Sequence, residues 1–460
     1  MIKIFNHYLH RRTLLQIFFD FGLILFAVIG VGVSQTEAPN QVVPLAATHG
    51  LSLAACLFLI NTASGFYQNA HHRSLNQSCA RAVLALFLAL PLAYGIFSLL
   101  PVSASSRSAM QNAAMLGVCA VMALRVYVSH SAAQSRVRTR ILIFGSGKAA
   151  ALVGQTLKQT DPHAEIVGYF AGPNETDPAV PAGLLLAGDK SLTDTARQLD
   201  VDEIVVALTE RRGGSMPMRA LLDCKLYGIR VFDISTHFEK TLGQIRVNYV
   251  NAGWLIFGDG FNQGLARTVI KRIFDILCSA LLIVLAAPVM LLTALAIKLE
   301  SRGPMLYRQE RVGLHGQSFH VVKFRSMRTD AEKDGKPRWA AVKDDRVTQV
   351  GRFIRLARID ELPQLFNVLS GEMSLVGPRP ERPYFVEQLT RDIPYFAVRQ
   401  SVKPGVTGWA QVRYQYGSTI EDSIEKLQYD LYYVKNHSLF LDLVILFETI
   451  AVVLTGKGSR

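Results

Sequence analysis

Arg358-Ile359-Asp360-Glu361-Leu362-Pro363-Gln364, followed by Gly371-Glu372-Met373-Ser374-Leu375-Val376-Gly377-Pro378-Arg379-Pro380, sets two adjacent carboxylates before a proline, then a short apolar segment, then a rigid Gly-Pro-Arg-Pro turn. Proline is tolerated only in the first turn of a helix, so a helix is predicted over 362–369 with Asp360 and Glu361 at its start. A helix start offers unpaired N–H groups and a partial positive charge, which favour carboxylates and phosphate oxygens. Taken alone, the pair also fits an N-cap acid beside a surface glutamate. With the arginines around it, the combination points to phosphoryl chemistry with a metal ion.

Working outward, the chain is long enough for two to four domains. Half of its 460 residues are hydrophobic, and they are bunched. Four runs, at about 14–33, 45–66, 82–100 and 110–128, are long enough to cross a bilayer. The first is too long for a signal-peptide core and is read as an uncleaved helix. Lys3, Arg11 and Arg12 precede the first run, Arg73 and Arg81 separate the second from the third, and Arg136, Arg138, Arg140 and Lys148 follow the fourth. The alternation places both ends of this region, and all that follows, on the cytoplasmic side. The formal charge of +13 lacks a basic arm or recognition helix, so no nucleic-acid partner is expected. Anionic lipid and phosphate-bearing substrates suit it better. The five cysteines show neither metal nor pairing patterns.

From Arg140 the pattern changes to alternating strand and helix signals. Strands are predicted at 141–145, 165–170, 203–208 and 230–234, giving a small doubly wound, Rossmann-like α/β module over 136–240. Its first turn, Gly145-Ser-Gly147-Lys148-Ala149-Ala150, imitates a dinucleotide fingerprint, but no acid for a ribose ends the second strand. A structural or regulatory module and a nucleotide-binding one both remain open. Residues 241–265 read as a connector.

A fifth apolar run, 273–297, is interrupted by Pro288 and followed by Arg302, Arg308, Arg311, Lys323, Arg325 and Arg328. Basic segments resist export, and proline bends a helix, so a re-entrant helix returning to the same face is expected rather than a fifth span. Phe319–Met327 alternates like a strand and would bring Lys323 and Arg325 to one side. The polar stretch 329–348 reads as a loop, either a lid or plain disorder. Near the end, 439–454 is apolar but holds Asp442 and Glu448, which fits an interfacial or packed helix.

Several motifs now stand in order: Lys271-Arg272 with Asp275, the proline-broken helix, Lys323-Phe-Arg325-Ser-Met327, Asp360-Glu361-Leu-Pro-Gln-Leu-Phe-Asn, Ser374-Leu-Val-Gly-Pro-Arg-Pro380, Lys403-Pro-Gly-Val-Thr-Gly-Trp409 and Asp430-Leu-Tyr-Tyr-Val. Over 266–460 the chain resembles the bacterial sugar transferases, the monotopic polyprenyl-phosphate phosphoglycosyl transferases. Its added spans and module resemble the large members that start exopolysaccharide or O-antigen units, and its N-terminus resembles the exosortase-associated subgroup. One departure is Ala287-Pro288, where the family often has Ser-Pro.

The resemblance implies transfer of sugar 1-phosphate from a UDP-sugar to undecaprenyl phosphate at the cytoplasmic face of the bacterial inner membrane, with release of UMP. The expected fold is a membrane protein: a four-helix transmembrane region (1–135), the Rossmann-like module, and an α/β catalytic domain (266–460) with a re-entrant helix. Asp360 is expected to attack the β-phosphorus, since a carboxylate needs no deprotonation at neutral pH. Asp360 and Glu361 would hold Mg²⁺, or Glu361 would position Asp360. Lys323, Arg325 and Arg379 would bind phosphates. Asp430 would complete the polar site or be a helix-surface acid, and Arg413, after Trp409-Ala-Gln-Val, is a candidate to touch the nucleotide. The expected partners are the UDP-sugar, undecaprenyl phosphate, membrane lipids and a second copy of the chain, the spans serving to anchor or dimerise it.

Two rivals belong to other classes. A membrane-anchored NAD-dependent sugar-nucleotide epimerase or dehydratase would need a Tyr-x-x-x-Lys pair between 140 and 240, which is absent. A transporter would need more intramembrane acids or arginines than Asp20 and the residues at the span ends.

Overall fold

The computed structural model describes residues 2–4, 7–9, 11–34, 39–64, 66–67, 75–131, 139–161, 164–173, 175, 177–186, 191–208, 216–250, 260–261, 264–329, 346–414, 417 and 419–455. Most of the expected loop 329–348 therefore lies outside the described residues. The chain divides into two compact units: Met1–Ile2 with Leu9–Leu242, and Lys3–Tyr8 with Gly243–Arg460.

Two three-residue strands, β1 (Ile2–Ile4) and β2 (His7–Leu9), open the chain. Four long helices follow in the first unit: α1 (Arg11–Ser34), α2 (Pro39–Ala63), α3 (Leu75–Ser98) and α4 (Ala104–Ser131). Each is long and apolar enough to cross a membrane. Small residues line their mutual contacts, with Ala46, Ala54, Ala85, Ala89, Ala93 and Ala114 buried, while Phe18, Phe26 and Phe87 face outward. Asp20 is not alone inside the bundle. Arg125 of α4 pairs with it at 3.0 Å, both side chains almost fully buried.

The same unit contains a five-stranded parallel sheet: β3 (Thr139–Phe144), β4 (Ala164–Phe170), β5 (Leu185–Leu186), β6 (Glu203–Val206) and β7 (Arg230–Asp233). The strand order is β5-β4-β3-β6-β7, the doubly wound arrangement that reverses direction at the first strand. Ile141, Leu142, Ile143 and Phe144 of β3 and Ile204, Val205 and Val206 of β6 are all buried, as expected of a sheet covered on both faces. Helices α5 (Lys148–Thr160), α6 (Leu192–Gln198), α7 (Met218–Leu226) and α8 (Ile234–Leu242) complete the module.

The second unit starts earlier than expected. Ile245, Val247 and Val250, assigned to a connector from the sequence, are buried in its core. Its longest element is α9 (Gly264–Glu300), a 37-residue helix that contains Pro288. Before the proline, Lys271 Nζ bonds Asp442 Oδ2 at 2.6 Å, the Arg272 guanidinium caps the carbonyls of Val368 and Leu369, and Asp275 Oδ1 accepts the Leu375 amide. After it, Ile297 packs with Phe324 and Ile354, and Glu300 Oε1 accepts the Val350 amide at 3.0 Å. Leu281, Val284, Leu285, Leu291 and Leu292 between these anchors are exposed. Both ends of α9 thus hold one folded body while its middle presents bare apolar surface.

Among the described residues, the strands of this unit form no common sheet. β8 (Leu306–Val312) and β9 (Ser318–Phe324) make an antiparallel hairpin; β10 (Ser374–Val376) and β11 (Gly405–Thr407) make a parallel pair. The remainder is helical: α10 (Gln349–Leu356), α11 (Gln364–Ser370), α12 (Pro383–Asp392), α13 (Trp409–Arg413), α14 (Ile420–Asn436) and α15 (Leu439–Thr455). Trp409 is buried against Tyr432, its Nε1 bonded to Gly243 O at 2.8 Å. The acids of α15 explain why it packs: Asp442 is bonded by Lys271 and Tyr433, Glu448 by Arg413.

Candidate active site

α10 ends at Leu356 with Ala357 as its cap, and Arg358 takes the left-handed conformation (φ 55°), which reverses the chain into a 3-10 turn at Ile359–Glu361. The helix after it begins at Gln364, two residues later than expected. Proline has no N–H to donate, and the backbone crosses Pro363 through three-residue bonds, Leu362 N to Ile359 O and Leu365 N to Leu362 O. Asp360 and Glu361 therefore sit on a tight turn rather than on the α-helix itself.

Asn367 fixes that turn relative to the β8–β9 hairpin. Its Oδ1 accepts the Val322 amide at 3.0 Å, and its Nδ2 donates to His320 O and Glu372 Oε2, each at 2.8 Å. The adjacent Lys323 reaches Glu361 Oε1 at 2.8 Å, and Arg379 Nη2 donates to the same oxygen at 2.7 Å. Burial works against ionisation of Glu361, but the Arg379 and Lys323 charges and bonds outweigh it and hold its carboxyl well below the usual range. Burial also pulls the Lys323 amine down, while Glu361 opposes the change.

Asp360 differs from its neighbour. Among the described residues its side chain takes part in no hydrogen bond, and burial together with the Glu361 charge pushes its carboxyl up to about 6 against the pull of Lys323, Arg379 and Arg355. It is a partly buried carboxylate with cations around it, and a group so placed is a candidate for the site's chemistry.

The Gly-Pro-Arg-Pro turn leaves β10 beside β11. Gly377 N bonds Thr407 O, and Gly405 N bonds Pro378 O. A Cβ on Gly377 or Gly405 would collide with the facing backbone, so this close approach requires glycine at both. Below the turn, Arg399 bonds Arg379 O at 2.8 Å and pairs with Asp430 at 2.7 Å. A shallow cleft along the turn is lined by Val312, Pro378, Arg379, Pro380, Glu381 and Arg399.

Lys323, Glu361 and Arg379 are brought together beside Asp360 as the sequence anticipated; three other candidates are placed differently. Arg325 does not share a side with Lys323, because β9 ends at Phe324 and strand alternation stops there. Its buried guanidinium instead binds the carbonyls of Ser301 (2.9 Å), Arg302 (3.1 Å) and Ile297 (3.4 Å), plus Ser301 Oγ, capping the end of α9. Asp430 is buried and reaches the site only through Arg399; burial raises its carboxyl, an effect Arg399 partly offsets. Arg413 pairs with Glu448 at 2.7 Å and lies over the Trp409 ring, which makes it a packing contact. Arg355, which the sequence did not single out, stands close enough to Asp360 for its charge to favour the carboxylate. Only its place five and six residues before the two acids, on the preceding helix, could have signalled it.

Among the described residues, no three His, Cys, Asp or Glu side chains gather as a metal cage. Mg²⁺ does not need one, since it takes one or two carboxylates with substrate phosphates and water. The Asp360 carboxylate and the second oxygen of Glu361 fit that requirement, while Glu361 Oε1 is already bonded by Lys323 and Arg379.

The model of the family "Bacterial sugar transferase" matches residues 266–456. A UDP-N-acetylgalactosamine-undecaprenyl-phosphate N-acetylgalactosaminephosphotransferase of Aeromonas hydrophila is 44% identical over 53% of this chain and 56% of its own length. The chain thus spans little over half of that relative. A UDP-glucose:undecaprenyl-phosphate glucose-1-phosphate transferase of Caulobacter vibrioides is 47% identical over 41% of this chain and 71% of its own. One of the same name from Xanthomonas campestris pv. campestris is 31% identical over 74% and 72%. The matched region contains the acid pair, the hairpin lysine and the Gly-Pro-Arg-Pro turn, and the chain belongs to the bacterial sugar transferase family.

Proposed function

We propose that this chain transfers a sugar 1-phosphate from a UDP-sugar to undecaprenyl phosphate. An oxygen of Asp360 attacks the β-phosphorus, and the bond from that phosphorus to the bridging oxygen breaks, releasing UMP with the electron pair. An oxygen of undecaprenyl phosphate then attacks the acyl phosphate, forms the sugar-diphospholipid and returns Asp360 to a carboxylate. Lys323 and Arg379 bind phosphate oxygens while their shared bond to Glu361 keeps them aimed. Mg²⁺, when bound, would be held by Asp360 with diphosphate oxygens and would neutralise charge on the departing UMP.

The observation that carries this proposal is the unbonded Asp360 carboxylate beside a glutamate clamped by two cations. Nothing favours an epimerase or dehydratase, since the relatives are named as phosphotransferases. The arrangement of α9 supports a helix that dips into one leaflet, because residues on both sides of Pro288 hold the same domain. On this proposal the active site lies at the cytoplasmic face of the inner membrane, where a soluble nucleotide sugar meets a lipid phosphate, and the spans anchor or dimerise the chain. Relatives are named for N-acetylgalactosamine, glucose and galactose, so the sugar is left to a UDP-sugar panel.

The test uses purified full-length protein and UDP-sugar labelled in the β-phosphate. Label should appear on protein in a rapid quench without lipid acceptor, and should leave when undecaprenyl phosphate is added. Product formation with no trapped label at any quench time would exclude the covalent route.

A further inference from the structure

The glycine-rich turn of the α/β module already holds an anion, and it comes from the chain itself. Gly145-Ser146-Gly147 leads from β3 into the 13-residue α5, the position where a doubly wound fold receives a pyrophosphate on backbone N–H groups. Here the Glu175 carboxylate sits in that place. Its Oε2 accepts the Ser146 amide at 2.6 Å, the Ser146 hydroxyl at 3.1 Å and the Gly172 amide at 3.1 Å. Its Oε1 accepts the Gly147 amide at 3.3 Å.

The glycines here are closely packed, Gly147 against this occupant and the others against their neighbours. Gly145 has a φ of +133°, and a Cβ there would meet Ala207 O at 2.9 Å. A Cβ on Gly147 would come within 3.2 Å of Glu175 Oε1, and one on Gly172 would meet Leu208 Cδ2 at 2.6 Å. The segment after β4 is fastened at a second point, where Ala179 N donates to Ser146 O at 2.8 Å. Ser146 is thus bonded on both its amide and its carbonyl side by one crossing loop. Nearby, β4 ends in Tyr169-Phe170, with Phe170 stacked on Phe144, and offers no acid to a ribose.

We propose that Glu175 is the built-in occupant of this phosphate cradle, so that the module takes no nucleotide and its turn serves to lock the loop after β4. A pyrophosphate could enter only by displacing a carboxylate with four bonds that is tethered at effectively high concentration. The proposal does not depend on the transferase reaction, which lies in the other unit.

The test is amide hydrogen exchange on the full-length protein in detergent. In the unmodified chain, exchange at Ser146 and Gly147 should be slow and unchanged by NAD⁺, ADP or pyrophosphate. Glu175→Ala should speed it about ten- to hundredfold, the factor for a lost charge-assisted bond. Pyrophosphate or sulfate should then slow it again. Glu175→Gln, which keeps the shape without the charge, should lie between, and serves if the alanine variant fails to fold. Protection of Ser146 and Gly147 by NAD⁺ or ADP in the unmodified chain would overturn the proposal. So would unchanged exchange in the variants, or fast exchange that no anion restores.

Discussion

Arg379 and Lys323 meet on a single atom, Glu361 Oε1, at 2.7 and 2.8 Å, and Asp360 stands next to that junction without a bond of its own. The adjacent carboxylates are thereby divided into one that gathers two cations and one that, on the proposal above, reacts. Asp360→Asn should lose turnover by on the order of 10⁴-fold or more, the scale of removing a nucleophile, and carry no trapped label. Glu361→Gln should still accept label, more slowly and with a raised KM, because the two cations lose their common anchor. Comparing label trapping with steady-state rates separates the two roles; equal trapping by Asp360→Asn and unmodified protein would refute the assignment.

The displaced carboxyl of Asp360 predicts a pH profile. The nucleophile must be ionised, so the rate of label transfer should rise with pH through about 6 and then level off. For stability the sign is opposite. A carboxyl raised on folding binds more protons in the native than in the unfolded state, between its ordinary value and about 6. Its contribution to stability is therefore present at low pH and lost as pH rises through that window. Asp360→Asn should remove this term and melt higher than the unmodified protein above pH 6. Glu361 is depressed, so its effect falls below the ordinary glutamate value and meets this window only at its acid end.

Asp430 acts at one remove. Its bond to Arg399, and that of Arg399 to Arg379 O, make a buried chain that holds the Gly-Pro-Arg-Pro turn from beneath. Asp430→Asn strands a buried cation and should cost about 3–5 kcal/mol. The double change Arg399→Met with Asp430→Leu removes both charges and should recover much of the melting temperature. It should not recover kcat, because nothing then positions the backbone of Arg379. Recovery of kcat along with stability would show that the pair is only packing.

The parts of the site legible in the sequence were those set by local rules. Two acids before a proline, a lysine on an alternating strand and an arginine between prolines each declare a geometry within a few residues. Legibility failed where partners are distant or an element ends early. Arg325 obeys the alternation rule only if β9 continues past Phe324, and it stops there. Asp430 finds Arg399 across 31 residues, and Glu175 reaches Ser146 across 29, separations no periodicity encodes. The doubly wound module was readable because its strands are continuous apolar runs. The second unit was less so, since its short strand pairs are held by glycine contacts and helix packing rather than by a sheet.

The altered placement of Arg325 gives a stability prediction in place of a catalytic one. Arg325→Ala leaves the Ser301 and Arg302 carbonyls and the Ser301 hydroxyl beyond the end of α9 without this donor, at about 1–3 kcal/mol. The melting temperature should fall while kcat/KM per folded molecule stays within about twofold, within the ordinary context scatter of such contacts. Lys323→Met should show the reverse, with a large loss of activity. A catalytic loss from Arg325→Ala in protein that melts normally would return it to the phosphate-binding set.

Arg355 offers the sharpest test of the electrostatics around the nucleophile. Its charge favours the ionised form of Asp360, together with Lys323 and Arg379, against burial and Glu361. Unlike those two cations, it has no bond to Glu361, so Arg355→Ala should leave the clamp intact. Removing one positive neighbour disfavours the carboxylate, and the acid limb of the label-transfer profile should move to higher pH. At alkaline pH, where Asp360 is fully ionised either way, any remaining loss measures direct contact between Arg355 and the substrate's phosphates. Arg355→Lys keeps the charge and should restore the acid limb, though not a two-oxygen contact that only a guanidinium makes. An acid limb unmoved in Arg355→Ala would mean that the charge at this position does not reach Asp360.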